Sequence, residues 1–368
     1  MKVRTFSATL LGLGAAVLSL ALTASPAQAD PNPAPPPYGA LAGVGSDTTQ
    51  DALNGFGAVL DDSGGNPILD SWDARGSSTI TTKAAASNAN CTGLVRPNGS
   101  SQGRDALIAS ENGTPWQGKT ITGCVDFARS SAGPRSAGST YTYVPFGVDA
   151  VTVAINSNSL LPTNVTFTQI QRVYQCLDTT IAGEPVTPLL IQSGSGTRQF
   201  WLAQMGITEA DIAGGLYPCL EDLNNTIQEH DGTVLAGHED YILPFSVGQY
   251  IAQSNSAAIA TATGVTVTDR RGPSTLLSIG GTAPVTGGVL NTNFPIVRDV
   301  YNVLPTADLT NPVIDANFTG NDSALCTKTV TVAGTPKRVT ELFGFGYRAS
   351  TVGTGKLGCG VTTLTGNS

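Results

Sequence analysis

Charge is scarce in this chain of 368 residues: Asp, Glu, Lys and Arg make up 12% of it, with 19 basic against 27 acidic side chains and a net charge of −8. There is no Lys- or Arg-rich run, which argues against nucleic acid and anionic membrane surfaces as partners. A small anion in a local pocket is not excluded, because local donors there outweigh net charge. Histidine is scarcer still, with only His230 and His238. No Cys-x-x-Cys pair occurs, so the usual zinc-ligand pattern is missing, and neither a metal nor a cofactor is expected. The pattern G-x-x-x-x-G-K-[ST] is absent, which excludes a Walker-type nucleotide loop. Gly43-Val44-Gly45 opens like a dinucleotide fingerprint but lacks its third glycine. Downstream of the N-terminal segment no stretch is long and apolar enough to span a bilayer, so membrane insertion is not expected.

What is present begins with that segment. Lys2 and Arg4 precede an uncharged, mostly apolar run over 6–23 and a small-x-small site at Ala27-Gln28-Ala29. Residues 1–29 therefore read as a signal peptide, cleaved near Ala29, and the protein as secreted and extracellular. The next residue is Asp30 and not Cys, so no lipid anchor is expected. The six cysteines, Cys91, Cys124, Cys176, Cys219, Cys326 and Cys359, suit an oxidising compartment. The expectation is three disulfides in sequential pairing, 91–124, 176–219 and 326–359.

Residues 30–40 are a Pro-rich leader. The remainder is too long for one small core, so two lobes are expected, in a monomer. Strand patterns at 41–45, within 66–74, and at 123–128, 142–156, 189–192 and 294–303 alternate with helical ones. The helical patterns fall at 48–60, 79–87, 105–110, 168–175, 198–205 (closed by Gly206) and in stretches of 246–262. This order predicts an α/β fold with parallel pairing.

Four loops share one chemistry. Gly45-Ser46-Asp47-Thr48-Thr49, Gly76-Ser77-Ser78-Thr79, Asn98-Gly99-Ser100-Ser101 and Ser193-Gly194-Ser195-Gly196-Thr197 each place hydroxyls and glycine before an expected helix. Helix starts present unpaired N–H groups and partial positive charge, and hydroxyls add neutral donors. Several such turns facing one cleft would make an anion site without lysine. Taken singly, each is also an ordinary N-cap. Gly99-Ser100-Ser101-Gln102-Gly103 fits G-x-S-x-G, but Arg96-Pro97-Asn98 before it is not an apolar strand, so the nucleophile-elbow context fails. Glu229-His230-Asp231 and His238-Glu239-Asp240 could supply a base or metal ligands and read instead as a solvated polar loop.

In their order, AGVGSDTTQD, RGSS, CVDFARSS, VPFGVDAVTVAIN, SGSGTRQF and NFPIVRDVY resemble the phosphate-binding proteins of ABC transporters, of the type 2 periplasmic-binding-protein superfamily. The secreted actinobacterial branch is the nearest in impression. The resemblance runs from about residue 41 to 305. It implies a two-lobed α/β fold with a hinge and an interlobe cleft: lobe 1 from 41–147 and 281–368, lobe 2 from 148–280, crossing at Val144-Pro145-Phe146. It implies no enzyme but a solute-binding protein for a small inorganic oxyanion, phosphate first, with an ABC transporter permease as the possible partner.

Carried over residue by residue, the resemblance puts the ligand on Ser46, Asp47, Thr48, Ser77, Ser195, Gly196 and Thr197. Two positions depart from the family. The aspartate that accepts the proton of hydrogen phosphate is Ser131 here, and the arginine four residues before the SGT serine is Ile191. Arg129 and Arg198 are the candidates to supply the missing charge. Without the aspartate, weaker discrimination against sulfate is expected. The rivals are a secreted interaction or structural protein that has lost the ligand, and a secreted hydrolase, which needs a histidine bonded to a serine.

Overall fold

A computed structural model describes residue 31, residues 35–353 and residues 355–367. The signal-peptide segment 1–29 lies outside the described residues. The main elements are β1 (Leu41–Gly45), α1 (Gln50–Gly57), β2 (Leu69–Ser71), α2 (Gly99–Asn112), β3 (Phe127–Ser130), β4 (Ser136–Asn156), α3 (Phe167–Tyr174), β5 (Thr187–Pro188), α4 (Gly196–Met205), β6 (Tyr241–Ser246), α5 (Val247–Ser254), α6 (Ser256–Thr263), β7 (Ser274–Leu276), β8 (Val297–Pro305) and β9 (Thr365–Asn367). Among the described residues no helix is long and apolar enough to cross a membrane.

The fold is α/β, built on one mixed sheet in the order β5-β6-β4-β8-β3-β1-β2, with β7 and β9 also paired to β4. Parallel pairing, expected throughout, is confined to the flanks: β1 with β2, β1 with β3, and β5 with β6. The centre is antiparallel because β4, 21 residues long, serves as the common partner. It pairs with β8 from Tyr141 to Ala150 and then with β6 from Val151 to Ile155. Pro145 has no N–H to give the ladder. Beside it the register slips between Val300 and Tyr301, leaving Phe146 as the extra residue of a bulge.

Hydrophobic packing divides along this strand. Leu53, Phe56, Phe127, Phe146, Phe318 and Phe343 share one core, and Trp72, Trp116, Tyr143 and Val303 share a neighbouring one. Val151, Val153, Trp201, Met205 and Ile242 form another. Each fully buried large side chain contributes roughly 1.5–3 kcal/mol. Ile259, Val265 and Val267, from the span expected in the second lobe, pack with Phe56 and Phe343. Leu290, Phe294 and Ile296, from the span expected in the first, pack with Trp201.

Local chemistry explains several boundaries. Thr166 and Gln169 close a capping box that starts α3, whose Ile170, Val173 and Tyr174 face inward at helical spacing. Gly206 ends α4 at φ 69°, a left-handed stop. The expected helix over 79–87 is instead a short strand, Thr79–Ile80, paired with Leu94–Val95. Thr82 then bonds to Cys91, and Lys83 reaches Asp126, so tertiary contacts override an Ala-rich helical propensity. Disulfides join Cys91 to Cys124, Cys176 to Cys219 and Cys326 to Cys359, the sequential pairs.

Candidate functional site

The C-terminal ends of β1 and β3 and the N-terminal ends of α2 and α4 meet at one point. Ser46 and Thr48 follow β1, Ser131 follows β3, Ser100 opens α2, and Ser195 and Thr197 open α4. All six are buried, none more than 1% exposed. Their hydroxyls touch: Ser46 donates to Ser131 at 3.2 Å, and the Thr48 hydroxyl lies 3.3 Å from Ser131 and 3.1 Å from Thr197. Ser100 is 3.3 Å from Ser131 and accepts the Ser131 N–H at 3.1 Å.

Glycine permits this approach. A Cβ on Gly196 would sit 2.5 Å from the hydroxyl oxygens of both Ser100 and Ser131. Gly45, at φ +122°, would drive a Cβ to 2.6 Å from the Arg129 carbonyl. Ser195 caps α4 by accepting from the Thr197 and Arg198 N–H groups. Ser195 is thus at once the N-cap of α4 and a member of the hydroxyl cluster.

Two charged groups complete the cluster, and neither was among the sequence candidates for holding an oxyanion. Glu229 accepts from the Thr48 hydroxyl at 2.5 Å and from Thr197 at 2.8 Å through Oε1, and from Ser195 at 3.2 Å through Oε2. Arg298, from β8, donates to the Thr197 hydroxyl at 2.7 Å and to the Ser131 carbonyl at 3.1 Å. Its Nη2 also pairs with Asp149 at 2.8 Å, and both side chains are buried. Asp149 in turn accepts from Ser246 and from the Gly248 N–H. Arg298 and Asp149 fall within two of the motifs quoted for the resemblance, but neither stands at a strand-to-helix turn, the only local signal available. Glu229 lies in a polar run with no motif of its own.

The solvated-loop reading of Glu229 and His230 is corrected. Both are buried, at 0% and 1% exposure, and the Ser246 N–H bonds the Glu229 carbonyl. Asp47 is buried too. It accepts from the Thr48 N–H at 3.2 Å and from Gln192 at 3.4 Å. Burial, with the Glu229 charge second, pushes the Asp47 carboxyl up to about 8. Burial also opposes the Glu229 charge, while the Thr48 hydroxyl, the backbone and the Arg298 charge favour it.

Both arginine candidates are corrected. Arg129 is fully buried but turns onto the backbone: it donates to the carbonyls of Ser46 at 3.1 Å and Gly45 at 3.2 Å and to the Ser71 hydroxyl at 2.7 Å. It braces the loop after β1 from behind. Arg198 grips Glu209 at 2.6 Å and the Ile191 carbonyl at 2.9 Å. Ser77 is exposed and donates to the Thr79 carbonyl while accepting from Arg96, away from the cluster. The hydrolase rival needs a histidine on a serine, and among the described residues neither ring nitrogen of His230 has a hydrogen-bond partner. The His238 ring stacks on Tyr241.

No protein-family model matches the chain, and no curated protein matches it. Among solved structures it is similar to an ABC-type phosphate transport receptor from Vibrio cholerae, at 14% identity over 74% of this chain and 88% of that one, with a TM-score of 0.43. It is similar to a phosphate binding protein from Stenotrophomonas maltophilia, at 13% identity over 83% and 90%, TM-score 0.44. It is also similar to the regulatory domain of a LysR family regulator from N. meningitidis, at 11% identity over 52% and 66%, TM-score 0.28. At such identities the likeness concerns chain path alone, and the chemistry of the site is argued from this chain's residues.

Proposed function

We propose that the protein is a solute-binding protein for a small tetrahedral oxyanion, phosphate first, and that it binds without catalysing a reaction. The observation that supports this reading is the convergence of six buried hydroxyls and the Arg298 guanidinium on one point. Hydroxyls and helix N-terminal N–H groups suit phosphate oxygens, and an arginine adds directed charge. The sequence resemblance, including its actinobacterial branch, the two-lobe division and the permease partner, points the same way and belongs to the same proposal.

Glu229 changes the expected selectivity. The Ser at position 131 removes one carboxylate, but Glu229 brings another to the same hydroxyls. A buried carboxylate repels a fully deprotonated anion and favours one that carries a proton to donate. Hydrogen phosphate is therefore preferred over sulfate. Titration calorimetry of the full chain should show phosphate binding more tightly than sulfate, with E229Q narrowing the gap. Absence of heat from both anions at millimolar concentration would overturn the proposal.

One observation favours a second reading. The two Glu229 oxygens already accept from Thr48, Thr197 and Ser195, so the hydroxyls are satisfied by the chain itself. On that reading Glu229 is a resident anion and the protein is a structural or interaction module. Melting temperatures unmoved by any oxyanion, together with a lower melting temperature for E229Q, would select it.

A further inference from the structure

His230 is the one member of this neighbourhood that the oxyanion reading leaves without work. It is 1% exposed, and among the described residues neither Nδ1 nor Nε2 has a hydrogen-bond partner. A buried polar group left in that state costs roughly 1–3 kcal/mol, and buried polar groups are nearly always paired. Neutral imidazole, with one free lone pair, is the form that ligates metals.

An imidazole nitrogen of His230 lies close to two carboxylates. Asp47, Glu229 and His230 each present one ligand atom, all lie within 4.8 Å of one another, and all three residues are buried. Two carboxylates this close repel one another when both are charged. A divalent ion between them would balance both charges and take up the imidazole.

Other charges nearby weigh on both sides. Arg298 is engaged by Asp149, and Arg75 by the Gln192 side chain. Arg270 acts on Asp51 as well as on His230, and Asp231 adds a further negative charge beside the ring.

The geometry points to a divalent-cation site formed by Asp47, Glu229 and His230. One imidazole with two carboxylates suits a first-row transition ion such as Zn2+ or Mn2+, whereas Mg2+ and Ca2+ take oxygen ligands. Three protein ligands leave a coordination position open, as in sites that exchange a water or small anion. The inference does not depend on the oxyanion proposal, since Asp47 and His230 are not among the six hydroxyl donors.

The test uses the full-length chain with its disulfides formed, stripped by chelator, in phosphate-free buffer. Equilibrium dialysis should find about one equivalent of Zn2+ or Mn2+ per chain and no stoichiometric Mg2+. H230Q and D47N should each weaken Zn2+ binding by about tenfold or more. Circular dichroism checks that the variants fold. As a measurement needing no variant, Co2+ added to the wild type should give visible absorption bands of a nitrogen- and oxygen-ligated ion, which Zn2+ then abolishes. Substoichiometric uptake by the wild type, the absence of those bands, or unchanged affinity in folded H230Q would overturn the inference. Phosphate titration of the metal-free chain, run separately, reports on the oxyanion proposal alone.

Discussion

Arg298 and Arg198 are both largely buried and both paired with a carboxylate, but the partners differ. Asp149 is completely buried, whereas Glu209 is 51% exposed. Removing one member of a buried pair strands the other charge and costs about 3–5 kcal/mol, while an exposed pair contributes about 0–1 kcal/mol. R298M should therefore lower unfolding stability by about 3–5 kcal/mol in urea titrations, and E209Q by no more than about 1 kcal/mol. Equal losses would contradict the assignment of Arg298 as the site's buried cation. The contrast also shows what sequence could reveal. Ser46, Thr48, Ser195 and Thr197 were legible because turn chemistry is local: hydroxyls and glycine before a helix can be read from a few consecutive residues. Which arginine meets them was not legible. Arg129 and Arg198 lie next to the loops in sequence, while Arg298 arrives on a strand a hundred residues or more from its hydroxyl and carboxylate partners.

At the level of elements, the site depends on two helix starts packed against each other. Gly99 and Gly196 lie where α2 and α4 converge; the Ser101 N–H donates to the Gly194 carbonyl across the junction, and Gln199 reaches the Ser101 hydroxyl. A methyl at 196 has no room beside Ser100 and Ser131. G196A should separate these helix starts, lower the melting temperature and weaken oxyanion binding by about tenfold or more, the scale of one or two lost hydrogen bonds to an anion. G183A is the control: nothing lies within 4 Å of a Cβ there, and its φ of +91° makes the substitution strained in a surface turn only. Calorimetry on the two variants checks this, and equal loss of binding would count against the packing argument. Helix periodicity and capping made α3 and α4 readable from sequence. The antiparallel centre of the sheet was not, because strand direction is set by which distant segments pair with β4, and no local pattern records that.

For the molecule as a whole, the buried acid and the buried imidazole set opposite pH dependences. Asp47 keeps its proton to about pH 8 against an ordinary 3.8. Its share of stability is thus full below 3.8 and is lost as the pH rises to about 8. Asp70, pushed to about 6 by burial, acts in the same direction over a narrower range. His230, held at about 3 against 6.5, stabilises above 6.5 and loses that contribution as the pH falls toward 3. Above 6.5 the histidine no longer contributes a slope, and Asp51 and Asp149, also raised by burial, act in the same direction as Asp47. In metal-free buffer the wild-type unfolding stability in urea should fall between pH 6.5 and 8, with Asp47 supplying no more than about 1.4 kcal/mol per pH unit of the slope. D47N should reduce that fall, and H230Q should leave it while reducing the acid-side loss. A stability that rises over this range would refute the assignment.

The long strand β4 also determines what a protease can do to this protein. Every residue from Tyr141 to Asn156 is buried, and the strand pairs with β8 at one end and β6 at the other. The chain passes between its cores inside the sheet and offers no slack linker there for an enzyme to grip. A nick in a surface turn leaves two fragments hydrogen-bonded into one sheet, so the clipped molecule should keep its native elution volume and come apart only on a denaturing gel.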